Sequence, residues 1–410
     1  MREVYVAGIA MTPFGKFLDK SVKDLTCEVV GGVLADAGAA PGDLDAAFFA
    51  NTTQSVIEGQ YLVPGEIALK AAGINGLPVF NVENACASGS SAFHLAYAHV
   101  KAGLSEIALA VGAEKMYDAD RAKSFAVFRG AWDVHDGGAT MALLGNLGAG
   151  VVEPPSDGDN RQRSEFMDIY AELAKYHMKR FGMTQRQLAE VAAKNHQHSS
   201  LNALSQYRTS MTVDEVLGAR RVSWPLTLPM CSPISDGAAA AIVCSKEALQ
   251  RLAKARPVKV LASVLATGGA RAPEELERHV CRRAAARAYE MAGVGPEDMS
   301  VAEVHDATAF AEILQSENLG FAAMGEGGAL AESGATRLGG RIPINTSGGL
   351  ESKGHPLGAT GLGQIYELAQ QVRGEAGPRQ VEGARFAIAE NGGGFIGCEE
   401  AVACITILGR

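Results

Sequence analysis

The chain repeats itself. Ala37-Gly38-Ala39-Ala40-Pro41-Gly42-Asp43-Leu44 is answered by Ala292-Gly293-Val294-Gly295-Pro296-Glu297-Asp298-Met299, an offset of 255 residues, and the same offset carries VYVAGIAMT from Val4 onto KVLASVLAT from Lys259. Two copies of one unit must bury the same faces in the same order, which constrains the fold more than composition can. Each copy reads as a strand, a helix (Val22 to Ala37; roughly Glu277 to Ala292), an AGxxPxD turn and a second strand (Ala46 to Ala50; Val301 to Val304). Apolar runs alternating with amphipathic helices predict α/β layers with a mostly parallel sheet in each copy. The halves divide at 1–253 and 254–410. A segment at about 117–222 has no counterpart in the second half and reads as an inserted subdomain or flap. It is polar at VEPPSDGDNRQR and helical at FMDIYAELAKYHMKRFG and TQRQLAEVAAKNHQHS. His177, His196 and His198 fall in it. His196 and His198, two residues apart, do not share a helix face, so no metal pair is expected and the three read as surface polar residues.

With 410 residues, 47% of them hydrophobic and 20% charged, the chain has enough apolar surface for one large core or several ordinary ones. A formal charge of −9 argues against nucleic acid as the main partner. The start, MREVYVAGIAMTPFG, reads as a strand and turn without a secretory leader, so a cytoplasmic location is expected. No apolar run reaches the length of a membrane span; GAAAAIVCS is the nearest. The seven cysteines are scattered and never form a CxxC pair, which predicts reduced thiols and no zinc site.

In NVENACASGSSAF (81–93) one cysteine, Cys86, sits among small residues where a strand-like run gives way to a helix-like one. Helix-start N–H groups favour a thiolate and small neighbours admit a substrate carbonyl, although a buried packing thiol fits the same placement. The corresponding region of the second half, INTSGGLESKGHPLGATG (344–361), presents His355 among Gly354, Gly358 and Gly361, so the two special loops are expected to face one cleft. Histidine can take a thiol proton near neutrality. EVHDATAFAE ends a strand with His305 and Asp306, and ENGGGFIG (390–397) offers consecutive N–H groups suited to an oxyanion. Taken singly, a hydrogen-bonded structural histidine and a tight glycine turn remain open alternatives.

Together NACASGSSAFHLA, EKM after VGA, SPISDGAAAAIV, EVHDAT, GHPLGATG and the terminal NGGG resemble, in order and over nearly the full chain, the thiolase superfamily. The likeness is to its sterol-carrier-protein-type and lipid-transfer-protein branch. The resemblance implies duplicated βαβαβαββ halves in a five-layered α-β-α-β-α sandwich with a loop domain inserted in the first half. It implies Cys86 as the acyl-accepting nucleophile and His355 as its base. His305 and His355 would line one oxyanion hole, and the N–H groups of Cys86 and a glycine of 392–394, taken as Gly393, the other. Coenzyme A and acyl-CoA would be substrates, with no permanently bound cofactor or metal. A homodimer core is expected, together with a small zinc-ribbon/OB-fold partner protein.

One departure stands out. Thiolases carry a second cysteine as acid/base at the α-carbon, and the two family positions read Glu390 and Ala307 here. Glu390, His305 or a water are the candidates for that proton, with Cys398 a weaker one; Asp306 is expected to orient His305 or the backbone. The leading function is therefore CoA-dependent cleavage of a β-ketoacyl-CoA, bulky, branched or aromatic, or the reverse Claisen condensation. A decarboxylating condensing enzyme, a steroid-side-chain aldolase and a non-catalytic partner subunit are the alternatives.

Overall fold

The structure, a computed structural model, describes residues 2–155 and 164–410, so most of the polar run at 152–163 lies outside the described residues. The strands are β1 (Val4–Met11), β2 (Ala46–Ala50), β3 (Val79–Val82), β4 (Ile107–Glu114), β5 (Arg221–Ser223), β6 (Leu226–Thr227), β7 (Gly237–Ser245), β8 (Val258–Thr267), β9 (Val301–Glu303), β10 (Phe386–Gly393) and β11 (Val402–Gly409). The first half is ordered β3-β2-β4-β7-β1 and the second β8-β11-β10-β9; they join at β1 and β8 through only Tyr5–Lys259 and Val6–Val258. β5 and β6 pair separately beside the inserted helices.

Both halves are mixed rather than mostly parallel. β2 runs parallel to β3 and β4, and β9 to β10, because helical crossovers connect them. β7 returns antiparallel between β4 and β1, and β10 turns directly into β11. The repeat is exact at its start and decays later: the second-half counterpart of β3 shrinks to a single bridge, Ala302–Ile344. Asn345, in the left-handed region at φ 56°, ends the pairing by accepting the Val304 N–H on its own Oδ1 at 2.8 Å.

Helices fill three layers. The helix Val22–Ala37 covers β1, β7 and β4 on the outside, and Val280–Ala292 covers β8 and β11. The first has a Ser21/Asp24 capping box and ends at Gly38 at φ 67°; the second ends at Gly293 at φ 69°. Thus the repeated Ala-Gly is a helix stop. The helices Ser88–Lys101 and Leu357–Arg373 lie between the sheets and touch each other and strands of both halves. Leu362, Ile365, Leu368, Ala369 and Val372 are all buried, each larger side chain worth about 1.5–3 kcal/mol of apolar burial. The result is an α-β-α-β-α sandwich whose central helices begin at the cysteine turn and the GHP turn.

Candidate active site

Small residues let the two central helices start side by side. A Cβ on Gly361 would meet Ser90 Oγ at 2.0 Å and Ser90 N at 2.5 Å, and one on Gly89 would meet Gly358 O at 2.7 Å. Glu114, at the end of β4, fixes this contact: it accepts Gly358 N–H at 2.8 Å and the N–H groups of Thr52 and Thr53. Cys86 follows Ala85, which is held at φ 48°, a conformation a non-glycine residue rarely adopts. Ser88 secures the turn, donating to Ala85 O at 2.6 Å and accepting Asn84 N–H at 2.8 Å. His355 N–H donates to Ser235 Oγ at 2.9 Å, and the adjacent Asp236 pairs with buried Lys115 at 2.8 Å. EKM and SPISDG are therefore one structural node beneath the GHP turn.

Cys86 Sγ and one ring nitrogen from each of His305 and His355 lie within 4.8 Å of one another, and the two imidazoles meet edge to face at 5.0 Å. Their hydrogen bonds give them opposite tautomers. Thr360 Oγ1 donates to Pro356 O at 3.0 Å, so it accepts from His355 Nδ1–H at 2.7 Å and Nε2 keeps its lone pair. Asn391 Oδ1 accepts from Ser90 at 2.7 Å, so its amide donates to His305 Nδ1 at 2.9 Å and places the His305 proton on Nε2. His355 is thus equipped to accept a proton and His305 to donate a hydrogen bond. Burial pushes His305 down to about 3, and burial with His305 and Lys353 nearby holds His355 well below the usual range, so both are neutral at pH 7.

The thiol itself is not pre-ionised. Burial pushes Cys86 up to about 12, outweighing the N–H of Gly394 and its own N–H, so the thiol needs a base. Gly393 packs under it: a Cβ there would lie 2.3 Å from Asn84 O and 2.6 Å from Ala87 N.

These groups open onto a cavity of about 440 Å³ lined by Cys86, His305, His355 and Gly392, Gly393 and Gly394. The inserted segment supplies much of its wall, including Phe125, Phe128, Phe166 and Tyr170, while Lys16, Arg121 and Arg220 add positive charge. Glu390 is not among the lining residues. Its carboxylate accepts the His305 N–H at 2.9 Å and the Cys281 thiol at 3.4 Å, so it holds the backbone of His305 from behind. Cys398 is packed with Leu144, Ile169 and Phe395, away from this cavity. Asp306 accepts Leu350 N–H at 2.7 Å and therefore orients the turn before His355.

The histidines of the insert are buried, not surface residues. His177 bonds Glu317 at 2.9 Å between Phe181 and Phe310; His198 bridges Asn345 O and Leu338 N–H; His196 reaches Ser352 at 3.2 Å. On the same helix, Gln185–Ser200, Asn195 bonds Asp306 and Glu351 at 3.0 and 3.2 Å. A polar helix that reads as solvated is instead docked on the loop carrying His355. Sequence reasoning also missed Glu400, which does line the cavity. Its signal is modest: β10 and β11 form a hairpin whose ladder ends at Gly393–Val402, which returns residue 400 beside the glycine run.

The family model of the thiolase N-terminal domain matches residues 4–215, and the thiolase C-terminal domain-like model matches residues 262–410. The chain belongs to the thiolase family. Acetyl-CoA acetyltransferase of Methanothermobacter thermautotrophicus is 38% identical over 96% of this chain and 97% of that protein. Sterol carrier protein 2 of Gallus gallus is 36% identical over 95% of this chain and 69% of its own length. Benzoylsuccinyl-CoA thiolase subunit BbsB of Thauera aromatica is 31% identical over 93% and 92%. A solved structure described as an Ltp2-ChsH2(DUF35) aldolase superposes with a TM-score of 0.78 over 100% of this chain and 98% of that one; at 24% identity it speaks for the fold alone. This thiolase-family chain is an acyltransferase-type enzyme. Among its described residues no helix is long and apolar enough to cross a membrane.

Proposed function

We propose that the protein cleaves a β-ketoacyl-CoA by thiolysis through an acyl thioester on Cys86, or runs the reverse condensation. The observation that carries this reading is the Cys86–His355–His305 cluster with its opposed tautomers. His355 Nε2 takes the thiol proton as Sγ attacks the β-carbonyl carbon. Cleavage of the α–β carbon bond leaves an acyl-enzyme and an enolate of the departing thioester, and His305 Nε2–H with protonated His355 faces that negative charge. One such preorganised donor is worth roughly 10²–10³ in rate. The N–H groups of Cys86 and Gly393 would receive the acyl-thioester oxygen. CoA thiolate then takes the acyl group, and Cys86 recovers its proton from His355.

Lys16, Arg121 and Arg220 suit the phosphates of a CoA ester, and the aromatic wall suits an acyl group larger than acetoacetyl. The test is product analysis with aromatic and branched β-ketoacyl-CoA esters. Thiolysis consumes one CoA per substrate and yields two acyl-CoA products; loss of CO₂ from a malonyl thioester would instead favour a decarboxylating condensation.

We also infer assembly beyond one chain. β3 is an edge strand with Phe80 42% exposed, a surface a second copy can cover by strand pairing. A monomer mass by light scattering would contradict this. A partner protein of the zinc-ribbon/OB-fold kind is supported by the Thauera relative, itself a thiolase subunit, and by the structural neighbour, an Ltp2-ChsH2(DUF35) aldolase.

A further inference from the structure

Glu400 has no assigned role, yet among the described residues it is the acidic residue that lines the cavity. Only 4% of the residue is exposed, and it lines the same space as Cys86, His305 and His355. Two consecutive glycines of β10 lie between it and the cysteine turn. A Cβ on Gly392 would meet Glu400 Cγ at 2.7 Å, while one on Gly393 would meet the backbone of the cysteine turn. Successive residues of β10 face opposite sides, so the bare backbone of these two glycines is what separates Glu400 from the cysteine turn. We propose that Glu400 is the catalytic acid/base at the substrate α-carbon, in the place where the family's second cysteine is missing.

Its surroundings are built for that task. Gln315 Nε2 donates to Oε1 at 2.9 Å, with the Gln315 amide fixed because its Oε1 accepts from Asn318 at 3.0 Å. His279 Nε2 lies 3.2 Å from Oε2. His279 Nδ1 faces the Asn318 amide and the Cys281 N–H, both donors, so its proton sits on Nε2 and points to Glu400. Cys281 Sγ stands 3.8 Å from Oε2 and 3.4 Å from Glu390. Gln315 and His279 are positioning residues: they hold the carboxylate without supplying a full positive charge, since burial brings His279 down to about 3. Burial raises Glu400 to about 7, which leaves both its protonation states available near neutrality.

The proton balance closes. After the α–β bond breaks, protonated Glu400 gives its proton to the enolate carbon and becomes carboxylate. It regains a proton from the incoming CoA thiol, whose sulfur then attacks the acyl-Cys86 thioester. In the condensing direction the same carboxylate removes the α-proton.

This assignment rests on the thiolase reading, and one experiment separates the two. Wild-type protein and Glu400→Gln are incubated with acetyl-CoA, propionyl-CoA and succinyl-CoA in D₂O. Acylation of Cys86 is read by intact mass and α-deuterium in the recovered acyl-CoA by mass spectrometry. The expected result is acylation in both proteins, with α-exchange reduced roughly 100-fold or more in Glu400→Gln. Glu400→Asp, which keeps the carboxylate, should recover part of the exchange, whereas a merely structural role would not distinguish Asp from Gln in this way. Wild-type exchange in Glu400→Gln overturns the assignment while sparing the thiolase reading. Absence of acylation in the wild type contradicts both.

Discussion

Hydrogen bonds to Nδ1 underlie the role proposed for each histidine. Thr360 and Asn391 face His355 and His305 respectively, one as acceptor and one as donor, and that difference separates a base from an oxyanion donor. The buried carboxyls near them make stability depend on pH in a calculable direction. Burial raises Glu390 to about 8, with Glu400 adding to the effect, and raises Glu400 to about 7. Between the ordinary glutamate value and these values the folded state binds more protons than the unfolded one, so their contribution falls as pH rises. Below about pH 6.5 the lowered His305 and His355 act in the opposite sense, because there the unfolded chain takes the extra protons. Above it they are neutral in both states and the carboxyls dominate. The melting temperature should therefore fall from pH 6.5 to 8.5 in the wild type and fall less in Glu390→Gln. Equal slopes would remove Glu390 from this role.

The elements that matter most are the two central helices and the inserted helix Gln185–Ser200. Gly361→Ala places a methyl 2.0 Å from Ser90 Oγ and 2.5 Å from its amide nitrogen, so the helix starts must separate. Overpacking of this kind costs about 1–3 kcal/mol and should lower turnover by moving His355 from Cys86; unchanged melting and activity would contradict the proposed close contact. The motifs around Cys86 and His355 were legible in the sequence because glycine and small residues mark close backbone approach. The repeat announced the helix stops at Gly38 and Gly293 for a different reason, the left-handed φ both adopt. What the sequence hid is carried by side chains that pair across long separations. Asn195 with Asp306, Lys115 with Asp236 and Glu400 with Gln315 leave no local pattern. A helix such as QRQLAEVAAKNHQHSS reads as solvated because its polar residues have partners that only the folded chain supplies. The missing second cysteine was visible as an absence, but its replacement lay across a hairpin from the glycine run.

At the scale of the molecule, duplication explains why the site lies where it does. Each half contributes one central helix, and the proposed nucleophile comes from the start of the first and the proposed base from the start of the second. The insert lines the cavity with apolar side chains, which would keep water from the proposed enolate. The two halves are therefore one catalytic unit, and a change in either should stop the reaction at a definable step. The most direct measurement is intact-protein mass spectrometry after incubation with a panel of β-ketoacyl-CoA esters, for the wild type, Cys86→Ser and His355→Ala. The expected result is an added acyl mass on the wild type that free CoA removes, none on Cys86→Ser, and accumulation slowed roughly 100-fold or more in His355→Ala. An acyl adduct that persists in Cys86→Ser, or forms at the wild-type rate without His355, would contradict it.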